Sequence, residues 1–270
     1  MKHDLVIAHR VCPALSKTAY GFTDKFDMVR RCSASMMAAL QGINARIIVI
    51  LDGCGPEYET LFPGAEIVHT DSIGNQATFA RQIDILSSVQ DAPLVYFSED
   101  DYLYRPDAFK AMMGLMSRDG VDFISPIDHP DRYDDSVSEP GKTRISVSAH
   151  CHWRECGTSC LTFMTRPETV RRCRDVMMCY VRGEQDSVMW LGMTKWGMFS
   201  PVVIARSFCA FLRRMAGRKV WFGKFIPLMA WWRHNVRLIA PIRYHLWSPL
   251  PSLAFHLSTC TYPPCGWKVL

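Results

Sequence analysis

The sequence predicts an α/β fold, a mostly parallel sheet flanked by helices, with a basic, aromatic, helical region at the C-terminal end. Three observations lead there. Short apolar runs alternate with amphipathic segments of helical period through the first half of the chain, the pattern of strand–helix–strand units. The runs are apolar throughout, as strands covered on both faces are. Beyond Arg206 the composition changes to Arg and Lys mixed with Phe, Trp, Leu and Ile.

Taken in order, residues 4–10 (DLVIAHR) form the first strand. Residues 22–42 form a helix, capped at Thr23 or Asp24 and stopped by Gly42. Residues 45–53 (ARIIVILDG) form a second strand, which ends at an expected turn at Asp52-Gly53. A short amphipathic piece at 58–62 leads to a third strand, AEIVHT. Residues 75–89 form a helix with Phe79, Ile83 and Leu86 on one face. Residues 94–97 open the fourth strand, and residues 106–118 form a helix with Pro106 near its first position. VDFISP is a fifth strand, and residues 128–142 form a polar surface loop. TRISVSAH and SCLTFMT are two further strands flanking CHWRECGT. Helices follow in PETVRRCRDVMMCYV and GEQDSVMWLGMTKWG. The expected organisation is a catalytic body, 1–205, and a basic amphipathic region, 206–270.

The 270 residues are 49% hydrophobic, which allows a substantial core and argues against disorder. A net charge of +5 conceals an asymmetry: after Asp186 there are 11 Lys or Arg and no acidic residue. The first 186 residues hold 20 basic and 26 acidic residues, a net of −6. Such a basic tail is drawn to anionic partners. Its aromatic residues suit an anionic membrane surface, where Arg and Lys meet head-group phosphates. The alternative is a helical subdomain packed on the sheet. Nucleic acid is not expected, because no recognisable nucleic-acid motif accompanies the basic residues.

The longest stretch free of Lys, Arg, Asp and Glu, residues 244–267, carries four prolines and two histidines, so it is not a spanning helix. Eleven irregularly spaced cysteines, with no secretory signal before the first strand, imply reduced thiols and a cytoplasmic setting, peripheral to the inner face of the membrane. The tightest Cys/His grouping is His150, Cys151, His152, Cys156 and Cys160. It has no CxxC pair and reads as incidental thiols, with a zinc site as the alternative.

The chemistry concentrates in residues 92–109, APLVYFSEDDYLYRPDAF, where an apolar strand runs directly into Glu99, Asp100 and Asp101. Adjacent carboxylates repel one another, and a divalent cation relieves this. Oxygen ligands suit Mn²⁺ or Mg²⁺, which commonly link one or two protein carboxylates to substrate phosphates. A solvated acidic turn is the alternative. Asp52 falls on the same rim, beyond the carboxyl ends of the strands, where ligands bind in such sheets.

The pattern VYFSEDDY at 95–102, followed by Pro106-Asp107-Ala108-Phe109, resembles the DXD-type motif of GT-A fold glycosyltransferases. These enzymes move a sugar from a nucleotide-diphosphate donor to an acceptor. The resemblance covers nearly the whole chain to about residue 262. It implies cation ligation by Asp101 and Glu99, with Asp100 among the donor contacts. It further implies nucleotide contacts from Asp52, His9 and Arg10, and donor contacts from Asn75 and Arg81 on the helix before the motif. Gly157-Thr158-Ser159 fits the glycine-containing loop before the acceptor side. The catalytic base falls in Gly183-Glu184-Gln185-Asp186, which departs from the family's plain Glu-Asp pair. Asp186 is preferred and Glu184 comes second, and the same acids at a helix start would also complement its dipole. A late histidine, His256, completes the metal shell.

The resulting expectation is a metal-dependent, inverting glycosyltransferase acting on a glycan, lipid-linked or protein acceptor, with the 128–142 loop closing over the donor. Two other readings stay open at this point: a sugar nucleotidyltransferase, and a non-enzymatic membrane-associated binding module.

Overall fold

The computed structural model describes residues 1–15, 22–129, 143–148, 151–220, 222–239 and 242–257. Four parallel strands form one half of the sheet: β1 (Leu5–Val11), β2 (Ala45–Asp52), β3 (Glu66–Thr70) and β4 (Leu94–Glu99). β1 lies between β2 and β4 and is buried along its whole length. Its unbroken apolar run follows from that placement.

Alternate residues along these strands feed two cores. Leu5, Ile7, Val49, Leu51, Leu94 and Tyr96 pack with α1 (Lys25–Ala39) and α3 (Ala108–Met116) on one face. Val6, Ala8, Ile48, Val95 and Phe97 pack with α2 (Asn75–Ser88), α4 (Pro167–Val181) and α5 (Asp186–Thr194) on the other. The period of two along each strand therefore divides the molecule into helix, sheet and helix layers.

The sheet is parallel through these four strands and mixed in its far half, where β6 (Phe123–Ile124) and β10 (Leu246–Leu250) pair parallel and the other neighbours antiparallel. The strand order is β3-β2-β1-β4-β9-β6-β10-β8-β7. β9 (Phe163–Thr165) runs antiparallel to both β4 and β6, and β8 (Cys151–Cys156) runs antiparallel to β10 and β7 (Ile145–Ser148). CHWREC, expected as the connection between two strands, is itself β8. Its alternation sends Cys151, Trp153 and Glu155 one way and His152 and Arg154 the other, so the Cys/His grouping does not converge. Among the described residues no group of three or more His, Cys, Asp or Glu is arranged to hold a metal by itself. His150 and residues 130–142, with the loop expected to close over a donor, lie outside the described residues.

A separate two-stranded sheet pairs β5 (Tyr102–Tyr104) with β11 (Ala254–His256). Pro106 precedes the N-cap Asp107 of α3 instead of sitting inside the first turn, because the chain first makes β5. The expected boundary at 205/206 cuts α6 (Pro201–Met215). The region beyond it returns through α7 (Ile226–Ile239) to supply β10 to the main sheet and β11 to the small one. No helix among the described residues is long and apolar enough to cross a membrane.

Phe163 joins the two halves of the sheet. It stacks on Phe97 at 4.4 Å and meets Trp190 edge-on at 5.0 Å, with no exposed surface. Phe163→Ala is expected to cost about 3–5 kcal/mol, read as a lowered urea midpoint. A loss within about 0.5 kcal/mol, the scale of surface substitutions, would show that this junction is not tightly packed.

Candidate active site

A cavity of about 370 Å³ opens at the carboxyl ends of β1, β2 and β4. The 11–15 segment and the first turns of α1 and α2 complete its wall. Strand register decides what faces it. β1 and β4 pair with His9 opposite Ser98 and Arg10 opposite Glu99. Side chains opposite one another lie on the same face. Arg10 and Glu99 therefore meet on the α2 side, where Arg10 Nη2 donates to Glu99 Oε1 at 2.6 Å. Arg10 Nη1 also donates to the Asn75 carbonyl at 2.8 Å and to the Asn75 side-chain oxygen. The second Glu99 oxygen accepts from Thr162 Oγ1 at 3.0 Å.

His9 and Ser98 turn to the α1 side. His9 Nδ1 lies 2.8 Å from Ser98 Oγ, and the ring packs against Phe62. Only 2% of His9 is exposed, and it does not line the cavity. The expected nucleotide contact from His9 therefore does not fit its position, because the alternation that brings Arg10 to the rim takes its neighbour behind the wall. Burial first, then the charge of Lys25, lowers the His9 pKa to about 3, so the ring is neutral. Arg81 is also placed elsewhere. Asn75, Thr78 and Gln82 share the sheet-facing side of α2, while Arg81 is exposed and outside the cavity lining.

Asp52 lines the cavity with both oxygens engaged. It accepts from Thr70 Oγ1 at 2.7 Å, from the Ile73 N–H at 2.7 Å and from the Gly74 N–H at 2.8 Å. It thereby fixes the turn into α2. Gly53 follows at φ +68°, where a Cβ would sit 2.1 Å from Ser72 Oγ. Only glycine meets both conditions without rearrangement.

The three consecutive acids have separate environments. Glu99 is committed to Arg10 and Thr162, so the expected metal contact from Glu99 gives way to an ion pair. Asp100 takes Lys25 Nζ at 2.8 Å on one oxygen and the Cys12 N–H at 3.0 Å on the other. Burial outweighs Lys25 and pushes the Asp100 carboxyl up. Asp101 Oδ2 lies 3.1 Å from His256 Nε2, while Asp101 Oδ1 is enclosed and has no hydrogen-bond partner among the described residues. Burial opposes the charge on Asp101, but His256 outweighs it and holds this carboxyl below the usual range.

His256 arrives from 155 residues further along the chain. β11 pairs antiparallel with β5, setting His256 opposite Tyr102, and the two rings stack at 4.6 Å. Its other ring nitrogen, Nδ1, lies 3.8 Å from Cys160 Sγ. Burial alone would raise the Cys160 pKa, but contacts with His129 and His256 bring it down to about 7. Asp101 and His256 offer an oxygen and a nitrogen ligand of the kind a divalent cation takes when the rest of its shell comes from outside the protein.

Asp186 and Glu184 face different neighbours. Asp186 opens α5, half-buried, with Oδ1 accepting from the Ser187 N–H at 2.6 Å. Burial pushes its carboxyl up, and the charge of Glu99 adds to this; Asp186 is not among the residues that line the cavity. Glu184 turns to Arg233 of α7 at 3.8 Å. In the Gly157-Thr158-Ser159 loop, a Cβ on Gly157 would lie 2.6 Å from Trp196, and Ser159 Oγ donates to Ser125 Oγ at 2.7 Å.

Sequence reasoning missed Lys25 and Thr162, and it set Cys160 in the Cys/His grouping instead of beside His256. Lys25 carries a local signal in directly following the Asp24 cap. Thr162 carries none, and the folding of β9 and β11 brings Thr162 and Cys160 to the site.

No protein-family model matches the chain, and no curated protein matches it. Among solved structures it is similar to a putative nucleotide-diphospho-sugar transferase from Desulfovibrio desulfuricans G20, at 13% identity and a TM-score of 0.44, covering 68% of this chain and 71% of that one. It is also similar to a CMP:2-keto-3-deoxy-manno-octonic acid synthetase in complex with CTP, at 14% identity and a TM-score of 0.40, covering 70% and 86%. A mycobacterial protein matches at 16% identity and a TM-score of 0.33, covering 45% and 39%. All three TM-scores lie below 0.5, and the functional reading rests on the residues of this chain.

The Lys25–Asp100 pair is about nine-tenths buried on both sides. Lys25→Met strands a buried carboxylate and is expected to cost about 3–5 kcal/mol of unfolding free energy. Adding Asp100→Asn should restore most of it. Additive losses in that double-mutant cycle would deny the pair any coupling.

Proposed function

We propose that the chain is a GT-A-type glycosyltransferase that moves a sugar from a nucleotide-diphosphate donor to an acceptor hydroxyl, with Mn²⁺ or Mg²⁺, on a glycan, lipid-linked or protein acceptor. The observation that carries this is the enclosed Oδ1 of Asp101, unpartnered among the described residues, beside His256 at the cavity of the parallel half-sheet. The DXD-like pattern supports the same reading. Asp52, Asn75 and Asp100 line the space assigned to the nucleotide. Asp101 and His256 hold the cation, which when bound neutralises charge on the departing nucleoside diphosphate.

Asp186 is assigned as general base. It takes the acceptor proton while the acceptor oxygen attacks the anomeric carbon from the side opposite the leaving group, inverting that centre. Its surroundings favour it over Glu184, which is engaged by Arg233. The raised Asp186 pKa suits it to accept a proton nearer neutrality than an ordinary aspartate does. In this reading the protein works at the inner face of the membrane as a peripheral protein.

Screening nucleotide sugars for Mn²⁺-dependent thermal stabilisation tests the reading, since a ligand of the folded state raises its melting point. Asp101→Asn should weaken Mn²⁺ binding in the presence of a nucleoside diphosphate by about 100-fold or more, measured by calorimetry. Unaltered Mn²⁺ affinity would remove Asp101 from the cation site. Consumption of a nucleoside triphosphate with release of pyrophosphate would identify a sugar nucleotidyltransferase instead, and no metal-linked nucleotide binding would leave only a binding module.

Asp186→Asn should lower kcat by about 10²–10⁴-fold with little change in donor affinity. A base must be unprotonated, so activity falls as pH drops through the Asp186 pKa, and that acid limb lies above the ordinary aspartate range. The limb should vanish from the residual activity of the variant. A product of retained configuration would exclude the single displacement.

A further inference from the structure

α6 is amphipathic in the inverted sense, and α7 carries large exposed apolar residues as well as buried ones. On α6 the inward stripe is Val203, Ser207 and Ala210, all small. The opposite face carries Phe208, Leu212 and Met215, which are 51%, 50% and 72% exposed. On α7 the inward positions are Ala230, His234 and Leu238, with Ile226, Met229 and Trp231 packed against the same core. The helix kinks at His234; Trp232 before the kink and Val236 and Ile239 after it are 88%, 78% and 77% exposed. A helix that only packs on a domain keeps its large apolar side chains inside. α6 presents them outward, and α7 presents them on both sides.

The charge around these faces has one sign. Arg206, Arg213, Arg214, Arg218, Lys219 and Lys224 belong to the same segment, which contains no acidic residue. On α7 the inner-flank arginines are occupied, Arg233 with Glu184 and Arg237 with Asp175 at 2.8 Å. These two pairs tie α7 to the body. Lys195 is the C-cap of α5. The outward apolar residues and the basic residues of α6 and its following turn are left for a partner that is apolar in its interior and anionic at its surface.

We infer that α6 and α7 form the element that docks this protein on an anionic lipid bilayer, Phe208, Leu212, Met215 and Trp232 entering the head-group–acyl boundary while the arginines of α6 meet lipid phosphates. This rests on the peripheral-membrane part of the functional reading and identifies the surface responsible. A surface helix binds a bilayer through buried apolar area together with attraction to anionic lipid. Each contribution can be removed separately. The apolar residues act at any ionic strength, and the arginines act only within a Debye length of about 10 Å at 0.1 M salt.

The test is co-flotation of the full chain with phosphatidylcholine vesicles containing or lacking phosphatidylglycerol, at low and high salt. The wild type should partition onto the anionic vesicles, with binding reduced at least about tenfold by high salt or by omitting the anionic lipid. Phe208→Ser/Leu212→Ser/Trp232→Ser should lose at least about tenfold in partition even at low salt, with an unchanged melting temperature because all three side chains are exposed. Arg206→Glu/Arg213→Glu/Arg214→Glu should abolish the preference for anionic vesicles.

Equal partition of the serine variant and the wild type would overturn the proposal. So would absence of partition at every composition, or a concentration-dependent dimer that the serine substitutions dissolve in the absence of vesicle binding. Mn²⁺-dependent stabilisation by a nucleotide sugar, measured on the same preparations, separates the two readings. Stabilisation without flotation removes the docking surface alone, and flotation without stabilisation removes the transferase alone.

Discussion

The parallel pairing of β1 with β4 sets Arg10 against Glu99 where both strands leave the sheet, and the rest of the rim is arranged around that contact. An ion pair this enclosed does not by itself add much stability, since desolvation of both partners offsets their attraction. Its value here is positional. Arg10 reaches from Glu99 to the first turn of α2, and Thr162 closes the free side of Glu99. Three segments far apart in sequence are held to one geometry. With Glu99 engaged there and Asp100 engaged by Lys25, the third acid alone retains an oxygen uncommitted among the described residues. The order of the three acids along the chain thus becomes a division of labour, set by which face of the sheet each side chain leaves from.

The N-terminal half was legible because its signals are local. β1, β2 and β4 are continuous apolar runs, and the Asp24 cap and Gly42 bracket the first helix. Asp52 at a strand end implied a rim position, and Asp52 lines the cavity. What periodicity could not show was which face a rim residue takes. His9 and Arg10 are neighbours in sequence, yet one is walled in and the other lines the cavity. Arg81 fell one helical position away from the face that carries Thr78 and Gln82.

The C-terminal strands were illegible for a different reason. β10 reads Leu-Trp-Ser-Pro-Leu, and a proline inside a run argues against a central strand because it cannot donate to the ladder. Pro249 pairs with Trp153 of β8, beyond Leu246 and Trp247, where β10 pairs with β6. β5 and β11 are three residues each, too short to show a period, and only their mutual pairing defines them. His256 could be singled out by resemblance, but its route to Asp101 is tertiary. The basic composition after Asp186 was plain in the sequence. That Phe208, Leu212 and Met215 of α6 and Trp232, Val236 and Ile239 of α7 are exposed required the structure.

The return of the chain to place β10 inside the main sheet and His256 beside Asp101 has a consequence during synthesis. The β1–β4 unit and α2 can assemble as soon as they leave the ribosome, and with them the Arg10–Glu99 contact. The sheet stays open between β6 and β8, and Asp101 stays without its imidazole neighbour, until residues 246–256 have been translated. Contacts spanning so much of the chain form late. A nascent chain therefore carries the acidic motif in nearly finished surroundings while still lacking His256, the neighbour that pairs with Asp101.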